Sequence, residues 1–524
     1  MNKKASILLA ALIMFNVDPG YDIQNREQIE AELRFTSNHA YFYVEKNVWQ
    51  ADWQSYLQAL AKEFDETVYP KLTENYGKEW KPGIDNDSRI TILITPMTDQ
   101  AGGYFNPNDG FPKSEISKSN QREMFYLNSS NITSPLFKSF LAHEFQHLIN
   151  FYQKKKLRWL DEEVWLNEAL SEYAPTLCGY DQPYEKSNLE TRVKSFLRDS
   201  SNSLTEWLGN MYDYGAINLF AQYLVDQRGV EVLKQITNSN TTGIKAVDNF
   251  EQIFSDWSVA NYLNNCDFDD GKYCYKNKNL DFHVPLTANY NLLPITSLSI
   301  SSITKEWSPH WYKISGISQE SKTLKIDFKN NSEANFFIPY LIIDKNGQFV
   351  LKSLTETSYL PKFGQDINSV IIIPASDAQS NFSLTASIVQ LPAPIIETIK
   401  PNKTYFGQQI IITGKNFIEN ISVRFGNQQA EQIELINSET IKVTAPDLGL
   451  LGKVNLSVIN PDDQASLALD GFEYIKKELT PEELKAELKA KIAEIQLRIL
   501  ELQRDWLLIK IEETKTRIAV LLNQ

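Results

Sequence analysis

Hydrophobic and polar positions alternate with different periods along this chain, and the changes of period divide it into regions. Near the N-terminus, Ala40-Tyr41-Phe42-Tyr43-Val44 and Arg89-Ile90-Thr91-Ile92-Leu93-Ile94-Thr95 have the short, β-branched and aromatic character of strands. Between them, apolar residues from Trp53 to Tyr76 recur at helical spacing, with Pro70 as a kink or break. Residues 21–135 thus predict a sheet with one long helix. From 136 to 278 the spacing turns helical, with Phe137–Tyr152, Val164–Cys178, Glu185–Arg198 and Tyr214–Arg228 as the predicted helices. From 279 to 391 the pattern breaks into short runs such as Thr323-Leu324-Lys325-Ile326-Asp327-Phe328, Tyr340-Leu341-Ile342-Ile343 and Ser369-Val370-Ile371-Ile372-Ile373. Asn, Gly, Ser and Pro punctuate them, which predicts an antiparallel β-sandwich. The joint Leu391-Pro392-Ala393-Pro394 opens a second all-β unit over 392–475.

Residues 476–524 read as one helix: from Leu479 onward there is no Gly, and the single Pro481 follows Thr480 as cap. Leu488, Ile492, Ile495, Ile499, Leu502, Trp506 and Ile509 recur in steps of four and three, a heptad seam that weakens at Glu513 and Thr516. The seam predicts either oligomerisation through residues 484–509 or a terminal helix docked on its own protein. At the other end, Met1-Asn2-Lys3-Lys4 and the apolar run Ala5 to Phe15 have the make-up of a bacterial-type export signal, so residues 1–20 read as a signal-like segment. A buried first strand or helix is the alternative.

Composition narrows the function classes. A formal net charge of -14 and an isoelectric point near 5.1 exclude a nucleic-acid footprint and suit a secreted or cell-surface protein. Three cysteines exclude a disulfide scaffold, yet Cys266 and Cys274 are close enough to close a short loop in an oxidising compartment, leaving Cys178 as a buried thiol. The loop Asp267-Phe268-Asp269-Asp270-Gly271 offers acidic groups for Ca²⁺ but lacks the later Glu of an EF-hand loop.

Only five histidines occur in the chain, and two of them lie in His143-Glu144-Phe145-Gln146-His147. On a helix this spacing places both imidazoles on one face, where they can share one Zn²⁺, with Glu144 free to act on a metal-activated water. A third histidine six residues after His147 would complete a three-histidine site, but that position is Gln153. A carboxylate is therefore expected as third ligand, from Asp161, Glu162, Glu163, Glu168 or Glu172. The first three sit in a charged stretch expected to be a solvated loop. Glu168 and Glu172, four residues apart in an otherwise apolar pattern, would repel unless a cation lay between them.

His143-Glu144-Phe145-Gln146-His147 followed by Asn167-Glu168-Ala169-Leu170-Ser171-Glu172 resembles the gluzincin, or thermolysin-like, arrangement. With Trp165-Leu166, Gly102-Gly103-Tyr104-Phe105 and Arg122-Glu123-Met124-Phe125-Tyr126, the resemblance is closer to the hyicolysin-like neutral zinc metallopeptidases and covers roughly residues 30 to 280. It implies an α+β zincin-type domain in a multidomain chain, with His143, His147 and Glu168 as ligands of one catalytic zinc, Glu144 as general base and Glu172 behind a ligand histidine. Tyr212 and Tyr214, in Tyr212-Asp213-Tyr214-Gly215-Ala216, resemble the placement of the catalytic tyrosine in aminopeptidase N-like gluzincins. They are the expected donors to the oxyanion, because no spare histidine lies in this region. The Gly-x-Met-Glu-Asn segment of those aminopeptidases is absent, which favours an endopeptidase on protein or peptide substrates over an aminopeptidase. Gly102 to Phe105 is expected at the cleft edge, where extended substrate could pair. Ile410-Ile411-Ile412-Thr413-Gly414-Lys415-Asn416-Phe417, Val423-Arg424-Phe425-Gly426, Ile441 to Pro446 and Gly471-Phe472-Glu473-Tyr474 resemble the IPT/TIG immunoglobulin-like family. The β modules could take a cell-surface or glycan ligand, and the competing class is a non-catalytic surface binding protein.

Overall fold

The computed structural model describes residues 12–98, 101–292, 296–316 and 322–522. They fall into two compact units, one up to Val389 and one from Gln390.

The first unit opens with strands β1 (Leu12–Asn16), β2 (Gln28–Thr36) and β3 (Ala40–Glu45). Helices α1 (Trp53–Glu63) and α2 (Tyr69–Asn75) follow, then β4 (Ile90–Thr95), β5 (Gly103–Tyr104) and β6 (Met124–Asn128). The expected long helix is split by a π-helical turn, Phe64–Val68, just before Pro70. Proline has no N–H to give to the preceding turn and its ring crowds the carbonyl four residues back, so the wider turn absorbs the mismatch. The strands make one six-stranded sheet in the order β1-β2-β3-β4-β6-β5, with β3, β4 and β6 parallel and β5 antiparallel at the edge. Alternate residues serve two cores: Phe42, Ile92 and Phe125 face the helices, whereas Tyr43, Leu93 and Tyr126 face the opposite layer.

Part of the apolar run read as an export segment belongs to this sheet. Leu12–Asn16 pairs with Gln28–Glu32 and buries Phe15, so the folded unit begins ahead of the expected boundary at residue 20. Residues 1–11 of that segment lie outside the described residues.

Six helices cover the other side: α3 (Phe137–Asn150), α4 (Val164–Cys178), α5 (Asn188–Arg198), α6 (Met211–Arg228), α7 (Glu231–Thr237) and α8 (Phe250–Leu263). Four match expected helices, α4 over the same residues. The sequence pattern does not predict α7 and α8, since α7 is short and α8 buries polar residues, Asp256, Ser258 and Asn261, among its apolar ones.

Strands between Ala288 and Val389 form a nine-stranded sheet whose two halves join through one residue pair, Phe363 and Ile367. The halves enclose a core of their own that includes Ile314, Leu324, Ile326, Val370, Phe382 and Leu384. The expected boundary at 279 is not a gap. Tyr340, Val370 and Ile372 face this core, while their neighbours Leu341, Ile371 and Ile373 join the helical core, so strands buried on both faces read as unbroken apolar runs. Trp311 Nε1 donates to the Ser258 carbonyl at 3.0 Å, and Trp307 packs edge-on against Phe250 at 4.8 Å.

The second unit holds a four-stranded and a five-stranded sheet around Ile410, Ile412, Phe425, Leu456 and Phe472, followed by helix α9 (Pro481–Leu522). Thr480 caps α9: the Glu483 amide donates to its hydroxyl at 3.3 Å, and its own amide donates to the Glu483 carboxylate at 2.9 Å.

Candidate metal centre

Helix α3 carries His143 and His147, one helical turn apart on the face turned to α4, with Glu144 next to the first of them. α4 runs across it and presents Glu168, Ser171 and Glu172. His143 Nε2 and His147 Nε2 lie 3.1 Å apart, and Glu168 reaches them with Oε2 3.4 Å from the first and Oε1 3.6 Å from the second. Among the described residues this is the only group of three or more His, Cys, Asp or Glu side chains whose potential ligand atoms converge, all within 4.8 Å. Two imidazole nitrogens aimed at one point and a buried carboxylate oxygen, Glu168 Oε2, without a hydrogen-bond donor in good geometry are a donor set that fits a cation.

Each histidine is oriented from behind. His147 Nδ1 lies 3.0 Å from Ser171 Oγ and 3.3 Å from Asn167 Oδ1, and His143 Nδ1 lies 3.4 Å from Glu172 Oε1. In the neutral imidazoles, Nδ1 protons directed at these oxygens would leave both Nε2 lone pairs facing the centre. Glu172 is itself clamped. Arg192 on α5 donates through Nε and Nη2 at 2.7 Å each, Asn188 at 2.9 Å and Asn218 on α6 at 3.3 Å. Gly215 allows this clamp, because a Cβ there would come within 2.6 Å of the Phe196 amide nitrogen and push α6 from α5.

Burial and charge separate the site's titrations. Burial disfavours a charged imidazole at both histidines. At His143 the carboxylates of Glu168 and Glu172 outweigh it and lift the pKa to about 10, whereas His147 is pushed down to about 4. Glu144, buried and close to Glu168 and Glu172, is raised to about 8. Glu172 is held well below the carboxylate range despite its burial, chiefly by Arg192.

A cleft of about 570 Å³ opens over these groups. Edge strand β5 forms one wall and sits against Glu144: a Cβ on Gly103 would lie 2.9 Å from Glu144 Cγ and 2.6 Å from the Tyr126 carbonyl oxygen. Phe105, Phe111 and Phe151 add apolar wall, and Tyr214 lines the side near Glu168. Tyr214 lies under the Arg192 guanidinium, 4.5 Å from its ring, and edge-on to Trp207 at 5.0 Å. Burial and the charges of Glu168 and Glu172 raise its hydroxyl pKa, so it stays a proton donor.

Tyr212, the other expected tyrosine, does not line this cleft. Two residues apart on a helix is about 200° of rotation, so α6 cannot turn both side chains to one site. Glu162 was expected in a solvated loop, but its side chain is buried, paired with Lys154 at 2.9 Å and accepting from the Gly243 amide at 2.7 Å. The cause is a π-helical turn, Phe151–Lys156, that swings Lys154 inward, where it also donates to the Thr241 carbonyl at 2.7 Å. The Asp267–Gly271 loop forms a turn spanned by the expected Cys266–Cys274 disulfide, and its acidic side chains are not among the converging groups of three or more potential ligands found in the described residues. Cys178 is the buried free thiol. Arg192, Asn188, Asn218 and Tyr21 escaped sequence reasoning. Tyr21 lines the cleft and stacks on Tyr104 at 4.5 Å.

Comparison with known proteins agrees with part of this picture. Residues 394–474 match the IPT/TIG domain family. Over 254 residues the chain is 26% identical to the neutral metalloprotease ShpI of Staphylococcus hyicus, a match covering 43% of this chain and 54% of that protein, about half of the relative's length. Among solved structures, an auxiliary nutrient binding protein from Bacteroides ovatus is 19% identical, with TM-score 0.14, over 16% of this chain and 21% of that one. A Gamma-CGTASE from an alkalophilic Bacillus clarkii is 20% identical, with TM-score 0.15, over 34% and 23%. Superpositions this slight carry no argument about function. The chain is thus a multidomain protein with an IPT/TIG domain and a distant likeness to a metalloprotease.

Proposed function

We propose that this chain is a zinc-dependent endopeptidase working in an oxidising, extracytoplasmic compartment. The observation that carries the reading is the convergence of His143, His147 and Glu168 beside a buried Glu144, beneath the open edge of strand β5. Two imidazoles and one carboxylate, with the cleft side of the centre left open, suit a catalytic zinc rather than a closed structural one. Zinc held there would supply Lewis-acid activation of a water and of the scissile carbonyl.

The protein's own groups divide the remaining work. β5 has a free edge whose backbone can pair with extended substrate, and Gly103 lets that substrate lie close to Glu144. Glu144 takes the proton of the attacking water and delivers it to the leaving amine. Its carboxylate lines the cleft in which both transfers take place. Tyr214, kept protonated, donates to the developing oxyanion. Arg192 fixes Glu172, which fixes His143, so the ligand geometry is set before substrate arrives. The disulfide supports an oxidising compartment, and among the described residues no helix is long and apolar enough to cross a membrane.

The test is hydrolysis of an internally quenched peptide blocked at its N-terminus. Cleavage should be abolished by a zinc chelator and restored by zinc. Cleavage unaffected by the chelator would refute the metal's role, and cleavage confined to free N-termini would replace the endopeptidase by an aminopeptidase.

A further inference from the structure

The β5 wall of the cleft carries a stack of three tyrosine rings on the sheet face away from the helices. Tyr104 on β5 pairs with Tyr126 on β6, and their rings lie 4.1 Å apart and within 8° of parallel. Tyr21, from the loop after β1, adds a third ring 4.5 Å from Tyr104 and within 9° of parallel. Neighbouring strands run about 4.8 Å apart, and opposed residues on one face stand side by side at about that spacing. The Tyr21 ring therefore sits one strand spacing beyond the edge, where a strand added to β5 would carry the side chain of the residue opposite Tyr104.

The ring is tied down through its own backbone and its neighbours. The Tyr21 amide donates to the Asp18 carbonyl at 3.1 Å, and the Tyr21 carbonyl accepts from the Thr98 amide at 3.0 Å. Asp22, the next residue, bridges to Met97 and accepts from Arg26 at 2.7 Å, and the same guanidinium holds Glu45 on β3 at 2.6 Å. Beneath the ring, the Tyr104 hydroxyl accepts from the Asp18 amide at 3.2 Å. So anchored, Tyr21 is a wall of the cleft and not a lid.

Side chains alternate along an extended peptide. A substrate paired with β5 turns the residue opposite Gly103 towards Glu144, the direction in which a Cβ on Gly103 itself would point, and turns the adjacent residue, opposite Tyr104, onto the Tyr21 ring. We propose that Tyr21 is a specificity-determining residue: its ring fills the side-chain slot opposite Tyr104, so the substrate residue next to the one facing the metal centre must be small, glycine, alanine or serine. The inference rests on the peptidase reading and names the class of peptide that such a site accepts.

Internally quenched peptides blocked at the N-terminus, with Ala or Phe placed in turn at each position within two residues of the cleaved bond, test it. At one of these positions the native chain should cleave the Ala peptide with a kcat/KM about 10–100-fold above that of the Phe peptide. Tyr21→Ala should close most of that gap by raising the rate on the Phe peptide, a gain that misfolding cannot produce. Tyr21→Phe, which keeps the ring, should keep the native gap. Equal cleavage of both peptides at every position by the native chain, or a gap that Tyr21→Ala leaves unchanged, overturns the proposal. Binding separates it from the peptidase reading. In the Glu144→Gln chain, fluorescence polarisation should show the Ala peptide bound more tightly than the Phe peptide, and adding Tyr21→Ala should remove the difference. A native chain that cleaves neither peptide while this binding difference holds refutes the peptidase reading alone. Cleavage with neither gap refutes the slot alone, and absence of both cleavage and binding refutes the two together.

Discussion

Replacing Arg192 by Met keeps the aliphatic stem and removes the guanidinium that holds Glu172. The lost contacts are two charge-assisted hydrogen bonds of 2.7 Å onto a carboxylate whose side chain is 2% exposed. Removing one partner of a buried ion pair costs about 3–5 kcal/mol. Asn188 and Asn218 still donate to Glu172, which puts the cost near the lower end, about 3 kcal/mol. With an unfolding entropy of ~2.1 cal/mol/K per residue, about 0.8 kcal/mol/K for a unit that runs to Val389, the melting temperature should fall by about 4 °C at pH 7. The sign with pH follows from Glu172, whose pKa Arg192 holds below its ordinary value. Its stabilising contribution is complete above the unfolded carboxylate pKa of about 4.3 and is lost as pH falls towards the depressed folded value. The gap between variant and native protein should therefore be full at neutral pH and narrow below about pH 4. Because Glu172 no longer steadies His143, zinc affinity should also drop by about 10–100-fold. Differential scanning fluorimetry at both pH values, with zinc titration against a chelating dye, reads all three effects. An unchanged melting temperature and unchanged affinity would refute the clamp, and an equal deficit at both pH values would refute its electrostatic origin.

Other consequences follow from the same geometry. Gly103→Ala should leave the fold intact but displace Glu144 or β5, lowering kcat/KM by about 10²-fold; native-like activity in a peptide assay would contradict the close approach. Tyr214→Phe should lower kcat by about 10²–10³-fold with KM little changed, while Tyr212→Phe should match the native chain; the reverse pattern would exchange their roles. Breaking the Cys266–Cys274 bridge by Cys→Ser at both positions should cost about 2–3 kcal/mol for so short a loop, read as a lower urea midpoint than the oxidised native chain.

The parts legible in the sequence are those set by local period. The spacing of His143, Glu144 and His147 is a helical spacing, and Val164–Cys178 carries an uninterrupted 3.6-residue pattern, so both helices and the residues facing between them could be read directly. What escaped was set at long range. Arg192 meets Glu172 across 20 residues and Asn218 across 46, and neither stands in a local pattern that distinguishes a buried charge partner from a surface residue. Glu162 read as solvated because its partner Lys154 lies among three consecutive lysines, and only the π-helical turn selects which of them points inward. Tyr21 was overlooked because the stretch before it resembles an export signal, although the strand Leu12–Asn16 holds that stretch in the sheet. The β region after residue 279 read as a separate module for a related reason. A strand apolar on both faces does not reveal that one of them packs against helices.

The central claim is that Glu144 performs acid–base chemistry at a metal held by His143, His147 and Glu168. Its most direct test is to measure metal content and peptide hydrolysis together for the native chain and for Glu144→Gln, which keeps the shape and removes the base. About one zinc per chain in both proteins, with hydrolysis only in the native one, is the predicted result. Zinc-free native protein, or a variant that hydrolyses as fast as the native chain, would contradict the account.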